Sequence, residues 1–248
     1  MIATEHYTPP RIRGNEHPNR RARKNCLIKT DKPLWNQQAA RMTGGRHSAL
    51  TLTISAQMGM FTDISSQPSS PVSYPAPTFG ALTNILRHLA PHLKTNWVPL
   101  GVEFLAPLSF TKFAFNLSST GRKTVHEKEH TSSMFHHTVL ENPRFRVYFA
   151  ITNDDPQLAA ATIQKIQQKV RSGNHRSLFM GGRDFPLHVE FSNPEEPTCE
   201  EINFQLASML RQITYQPPGI EVFSDVTCEN GVLVFPRTFQ AIPTQQEN

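Results

Sequence analysis

The sequence predicts an α+β protein with a β-α-β-β-α-β core, an extended β-ribbon and a C-terminal helix-hairpin extension. Three observations lead there. Apolar and polar residues alternate in short runs, as in Leu50-Thr51-Leu52-Thr53-Ile54 and Phe145-Arg146-Val147-Tyr148-Phe149; this is the period-two pattern of half-buried strands. Helical spacing of apolar residues falls between such runs, at residues 79–89 and again at 159–170. Asn230-Gly231 joins the last two apolar runs, and that dipeptide is the strongest short hairpin signal.

Order is expected to begin at Ala49, with a strand burying Leu50, Leu52 and Ile54. Gln67 to Pro77 is rich in Ser and Pro and reads as a loop. Thr78 then caps a helix whose Phe79, Leu82, Ile85, Leu86 and Leu89 share one face, and Pro91 helps to end it. Trp97 to Pro107 reads as a strand with Val98, Leu100, Val102 and Phe104 on one side. Residues 109–140 form the ribbon, whose tip from Ser118 to Glu129 is charged and contains a glycine.

Arg144 to Ile151 is the next strand, with Phe145, Val147, Phe149 and Ile151 inward. Asp155 caps a second helix with Pro156 at its first position, and Gly173 closes it. A strand follows around Leu187 to Phe191. A third helix is expected over Glu200 to Thr214, presenting Ile202, Leu206, Met209, Leu210 and Ile213. The hairpin strands Ile220 to Cys228 and Val232 to Phe235 close the domain, and residues 241–248 read as a flexible tail.

At 248 residues the chain can bury a substantial core. Its mean hydropathy is −0.43, and no apolar run reaches the roughly 18 to 20 residues that span a bilayer. No apolar leader segment opens the chain. Cys26, Cys199 and Cys228 are odd in number and lie far apart. That spacing speaks against a disulfide framework or a zinc site and suits a reducing cytoplasm.

The sequence pI near 9.3 comes from one end of the chain. Residues 1–48 hold ten Lys and Arg against three acidic residues, whereas the other 200 hold 15 against 17. Residues 1–48 therefore read as a disordered basic arm suited to phosphate contacts. The alternative is an upstream segment assigned in error, with the true start at Met42 or Met58. A folded body with no net positive charge must hold any polyanion through a local patch.

The strongest such patch candidate is Arg176 to Pro186, where Leu178-Phe179-Met180 runs into Gly181-Gly182 and then Arg183-Asp184-Phe185-Pro186. Glycines let backbone approach a ligand closely, and the flanking Arg176 and Arg183 offer fork-shaped donors for phosphate. The competing reading is a tight turn after a strand, fixed by a local Arg183–Asp184 ion pair. Arg122, Lys123, Lys128 and His130 in the ribbon tip can track phosphates beside Phe110, Phe113 and Phe115. Equally, that tip is a solvated hairpin with its aromatics turned to the core. His126, His136 and His137 lie in the same ribbon.

His88 and His92 are four apart and share a helix side, a spacing that suits metal ligands but has no third partner fixed by sequence. They also suit a solvent-exposed helix face. His188, Ser192 and Asp184 supply the residue types of a hydrolytic triad without a nucleophile elbow. P-loop, dinucleotide and HExxH patterns do not occur. No metal or cofactor is expected.

Three separated segments resemble one family. Val72-Ser73-Tyr74-Pro75-Ala76-Pro77-Thr78-Phe79-Gly80-Ala81-Leu82 is similar to the Ser-Tyr-x-x-Pro-Thr helix start of the CRISPR-associated Cas-five family, of the type I-C kind. Leu178 to Pro186 resembles its Leu-Gly-x-Arg-Glu-Phe segment, with Asp184 in place of the Glu. Glu229-Asn230-Gly231-Val232-Leu233-Val234-Phe235-Pro236, after Met209-Leu210, resembles its C-terminal hairpin and the helix before it. The resemblance covers about residues 49–240, and residues 1–48 have no counterpart in it.

That resemblance implies a RAMP-type, ferredoxin-like fold. It also implies an RNA-binding subunit of a type I crRNA-guided, Cascade-like surveillance complex in antiviral defence, holding the 5′ repeat handle of the guide. The implied partners are crRNA or repeat RNA, the complex's backbone and large subunits and, indirectly, target DNA. No membrane partner is implied.

In type I-C systems the same subunit usually cuts the repeat RNA without a metal: a base takes the ribose 2′-OH proton and a cation steadies the phosphorane. The residues for that step do not carry over. Ala90 stands where the family has a Tyr, and no Lys-His pair occurs between Asp154 and Lys165. The RNA-holding role therefore comes first. A repeat-specific endoribonuclease with substitute residues, His88 and His92 first, comes second, and an unrelated α+β binding protein third.

Overall fold

The computed structural model describes residues 32–44, 48–66, 70–91, 96–118, 132–152, 156–215 and 218–243. Its first element is a helix, α1, over Pro33–Thr43. Strand β1 runs over Ser48–Ser55, followed by a short β2 at Met58–Gly59 and helix α2 at Phe79–Leu89. Strands β3 (Asn96–Phe104), β4 (Phe110–Ser118), β5 (Ser132–Glu141) and β6 (Arg144–Thr152) come next. Helix α3 spans Pro156–Ser172, and the chain then forms β7 (His188–Phe191), β8 (Phe204–Tyr215), β9 (Pro218–Glu229), β10 (Val232–Val234) and β11 (Gln240–Pro243).

The expected core is present. Strands β3, β6, β1 and β7 lie side by side in that order, and every neighbouring pair is antiparallel. With α2 between β1 and β3, and α3 between β6 and β7, this is the β-α-β-β-α-β arrangement with its fourth strand beside its first. Strands β10 and β9 extend the sheet beyond β3, and β9 also pairs with β8 and β11. A second sheet of β2, β5 and β4 makes the ribbon. Its expected tip, with Arg122 and Lys123, lies outside the described residues.

Alternation along the central strand explains the layers. Phe145, Val147, Phe149 and Ile151 of β6 point to the face covered by α2 and α3, where they join Leu52, Ile54, Leu82, Leu86 and Ile163 in the main core. Tyr148 and Ala150 point the other way. Thr78 caps α2 as expected, its hydroxyl accepting from the Ala81 N–H at 3.3 Å. Asp155, the expected cap of α3, lies outside the described residues. Asn230 and Gly231 both have positive φ, 49° and 71°, as a two-residue hairpin turn of the primed kind requires.

Four expectations are corrected. Glu200 to Thr214 does not form a third helix: Phe204 onward is strand β8, paired along its length with β9. Its apolar residues satisfy a helical stripe, but Phe204, Leu206, Ser208 and Leu210 also alternate, and ten residue pairs with β9 select the extended form. The C-terminal extension is thus strands alone. Leu100 leaves the face of Val102 and Phe104 for the opposite one, because a bulge between Pro99 and Gly101 breaks the alternation. That strand also ends at Phe104, short of Pro107.

The third correction concerns the expected arm. Pro33–Thr43 is a packed helix, with Trp35 and Ala39 fully buried against Leu100, Tyr148 and Ala150. Proline at its first turn and Gly44 in the left-handed region at its end bound it. Residues 1–31 lie outside the described residues. Finally, Ala241 to Pro243, expected in the tail, belong to β11.

Candidate functional site

The Arg176–Pro186 segment is a small stapled hairpin. The Met180 N–H donates to the Phe185 carbonyl at 2.8 Å, and the Leu187 N–H to the Leu178 carbonyl at 2.9 Å. Leu178, Met180 and Phe185 are buried, which is why the run before the glycines is apolar. The Met60 N–H donates to the Met180 carbonyl at 2.9 Å and ties the hairpin to the chain after β2. Gly181 has φ +87°, and a side chain there would collide with the Met60 carbonyl. The segment is a tight turn, and its glycine is required by the close approach of the Met60 carbonyl.

What it faces is a cleft of about 520 Å³. Gly181 and Gly182 form one wall, and Thr78, Gly80 and Ala81 of the first turn of α2 form another. The β8 bulge at Leu210–Gln212 closes the third side. Tyr74 fixes that geometry. It is 1% exposed, and its hydroxyl accepts from the Leu210 N–H at 3.2 Å, so the segment leading into α2 is fastened to β8. Burial, then the nearby Asp63 charge, push the Tyr74 hydroxyl up to about 12. Its role is to hold the walls.

Among the described residues, two arginines line the cleft and no carboxylate does. Arg87, exposed near the end of α2, makes no ion pair among the described residues. Arg211 lies between two aromatic rings, 4.8 Å from the Phe79 centroid and 4.1 Å from that of Phe239, and pairs with Glu221. The first turn of a helix beside an exposed guanidinium without a counter-charge, as Arg87 is among the described residues, is chemistry that suits an anion.

The sequence-derived candidates divide around this cleft. Gly181 and Gly182 line it. Arg183 and Arg176 are exposed on the same segment, outside the lining, and no Arg183–Asp184 ion pair exists among the described residues. His88 is half-buried on α2 and does not line the cleft. His92 lies outside the described residues. Ala90, where the family resemblance would want a Tyr, is a buried methyl at the end of α2. The triad types do not assemble, since the Ser192 hydroxyl accepts from Arg146 Nε at 2.7 Å. Phe113 packs on Phe185 at 6.0 Å, a core contact, whereas Phe110 is exposed.

Sequence reasoning missed Arg87 and Arg211. Arg87 was visible as a cation on the polar side of α2, but nothing local placed it opposite the glycines. Arg211 was hidden by the helical reading of residues 200–214. The described residues contain no cluster of three or more metal-ligating side chains, and no helix among them is long and apolar enough to cross a membrane.

No family model and no curated protein sequence matches this chain. Solved structures do. A CRISPR-associated protein superposes with a TM-score of 0.54 at 18% identity, covering 76% of this chain and 91% of that one. The chain has that fold. A functionally uncharacterized protein from Streptococcus mutans gives a TM-score of 0.56 at 16% identity, over 76% of this chain and 93% of the other. The ferredoxin-like α+β architecture expected from the sequence is thus shared with these structures across most of their length.

Proposed function

We propose that this chain is an RNA-binding subunit of a type I CRISPR surveillance complex, holding the 5′ repeat handle of the guide. The observation that carries this reading is the cleft, where Gly181, Gly182, the first turn of α2, Arg87 and Arg211 line one concavity and no carboxylate does among the described residues. The Cas-five resemblance runs through the same walls, since its helix-start motif becomes α2 and its glycine motif becomes the facing turn. The complex's backbone and large subunits are the partners, and target DNA is met through the guide.

RNA cleavage receives no comparable support. Among the described residues, the cleft lining contains no histidine, tyrosine or lysine, and Ala90 offers nothing to take a proton. The experiment is a titration of purified protein with labelled repeat RNA in EDTA across a range of salt. Binding with intact RNA supports the holding role, and a single discrete cut would establish the nuclease instead. Arg183→Ala should weaken binding and flatten the dependence on salt. Failure to bind repeat RNA would sink the proposal.

A further inference from the structure

The cleft beside Gly181-Gly182 does not end at α2. A second cavity, of about 390 Å³, shares Thr83, Arg87, Arg211 and Gln212 with it as walls and reaches Trp97 and Arg237. Among the described residues, no acidic one lines either cavity. Arg87 and Arg237 are both exposed, and neither has an ion-pair partner among the described residues.

Residues 49–248 carry 15 Lys and Arg against 17 acidic residues, and the two arginines of β6 are paired, Arg144 with Glu190 and Glu196 and Arg146 with Glu103. A solvated face would mix the signs. Arg87 and Arg237, on two adjoining cavities that share walls, give a locally positive surface on a body with no positive net charge. Arg211 is neutralised by Glu221 and clasped by Phe79 and Phe239, so it serves as wall. Arg87 and Arg237 are the charges left for a ligand. Trp97 is half-buried at the far end and presents an aromatic surface to the groove.

We propose that the two cavities form one track for single-stranded RNA, in which Arg87 and Arg237 contact successive phosphates and Trp97 stacks a base. Charged grooves with aromatic platforms hold single strands in this way. The proposal rests on the RNA-binding reading above and extends it to residues outside the Arg176–Pro186 turn.

The test titrates the full chain with labelled repeat RNA at several salt concentrations, comparing Arg87→Gln and Arg237→Gln with the unchanged protein. Each variant should bind several-fold more weakly and lower the slope of log affinity against log salt by about 0.7, with an unchanged melting temperature. Arg87→Lys should restore the slope. Tryptophan emission gives a second readout with unlabelled RNA, because the chain has two tryptophans and Trp35 is fully buried. RNA should quench emission, and Trp97→Phe should abolish the quench. If the unchanged protein binds RNA while both arginine variants match it in affinity and slope, the track is wrong and the RNA-binding reading survives. If the unchanged protein binds no repeat RNA, both fall.

Discussion

The Trp35 indole lies flat on the Tyr148 ring, with centroids 4.1 Å apart and planes 15° apart. This stack joins α1 to the sheet face that α2 and α3 leave uncovered. The indole N–H also donates to a Glu103 carboxylate oxygen at 2.9 Å. Trp35→Ala should therefore destabilise the protein by about 3–5 kcal/mol, the usual cost of deleting a buried large aromatic side chain. A chain begun at Met42 should lose at least as much. Trp35→Phe keeps a ring on Tyr148 and should cost less, mainly the lost hydrogen bond to a charged acceptor. Urea denaturation of the three variants orders these losses.

Glu103 links that helix to the core of the sheet. Its carboxylate accepts from Lys32 Nζ, Trp35 Nε1 and Arg146 Nη1, the last at 2.6 Å. Burial by itself would raise the Glu103 carboxyl; the hydrogen bonds from Lys32, Trp35 and Arg146 outweigh it and hold the group below its ordinary value of 4.5. A carboxyl depressed in the folded state stabilises at pH above its unfolded value, and that contribution is lost as pH falls through the folded one. Glu103→Gln should cost about 3–5 kcal/mol at pH 7, because it leaves the buried Arg146 without its counter-charge. The gap between variant and unchanged protein should narrow below pH 4.5. A gap that stays constant from pH 7 to pH 3 would remove Glu103 as the titrating group.

The elements that were legible in the sequence are those whose decisive contacts are local. Thr78 caps α2 from three residues away, Asn230-Gly231 closes its own hairpin, and β1 and β6 alternate without interruption. The misread elements depend on distant partners. Residues 204–215 carry both helical and strand spacing, and only pairing with β9 decides between them. Pro33–Thr43 has one large fully buried side chain, Trp35, and is held by its stack on a residue more than a hundred positions away. Arg146 sits at an outward place in an alternating strand, yet it is 1% exposed because Glu103, Ser192 and two carbonyls surround it. The glycine turn was found as a site candidate by its composition. The arginines facing it were not, since they come from elements far apart in the chain.

Gly181 gives a test of the turn itself. Its φ of +87° and its closeness to the Met60 carbonyl leave no room for a side chain. Gly181→Ala should destabilise the hairpin by more than the roughly 1 kcal/mol of an ordinary glycine substitution, and should shift the cleft wall against α2. Repeat-RNA affinity should fall together with stability. Gly182 has negative φ, and a side chain there would meet only the edge of the Phe185 ring at 3.3 Å. Gly182→Ala should therefore cost less stability, and any loss of affinity it causes reports on the bare backbone as a contact surface. Thermal melts run beside the binding assay separate the two effects.

Arg211 gives the last test, because its charge and its shape do different jobs. The guanidinium plane is held between Phe79 and Phe239, and Glu221 balances its charge. A lysine keeps the charge but cannot fill a two-sided stack with a planar group. Arg211→Lys should cost about 1–2 kcal/mol, as expected for cation–π contacts partly shielded from water. A double-mutant cycle with Phe239→Leu should return a coupling of about 1 kcal/mol, since each partner loses value without the other. The salt dependence of RNA binding should stay as it is in Arg211→Lys, for a guanidinium already paired with Glu221 releases no counterion from a phosphate. A lowered salt slope in that variant would mean that Arg211 leaves Glu221 for the RNA, and that the wall of the groove is itself a contact.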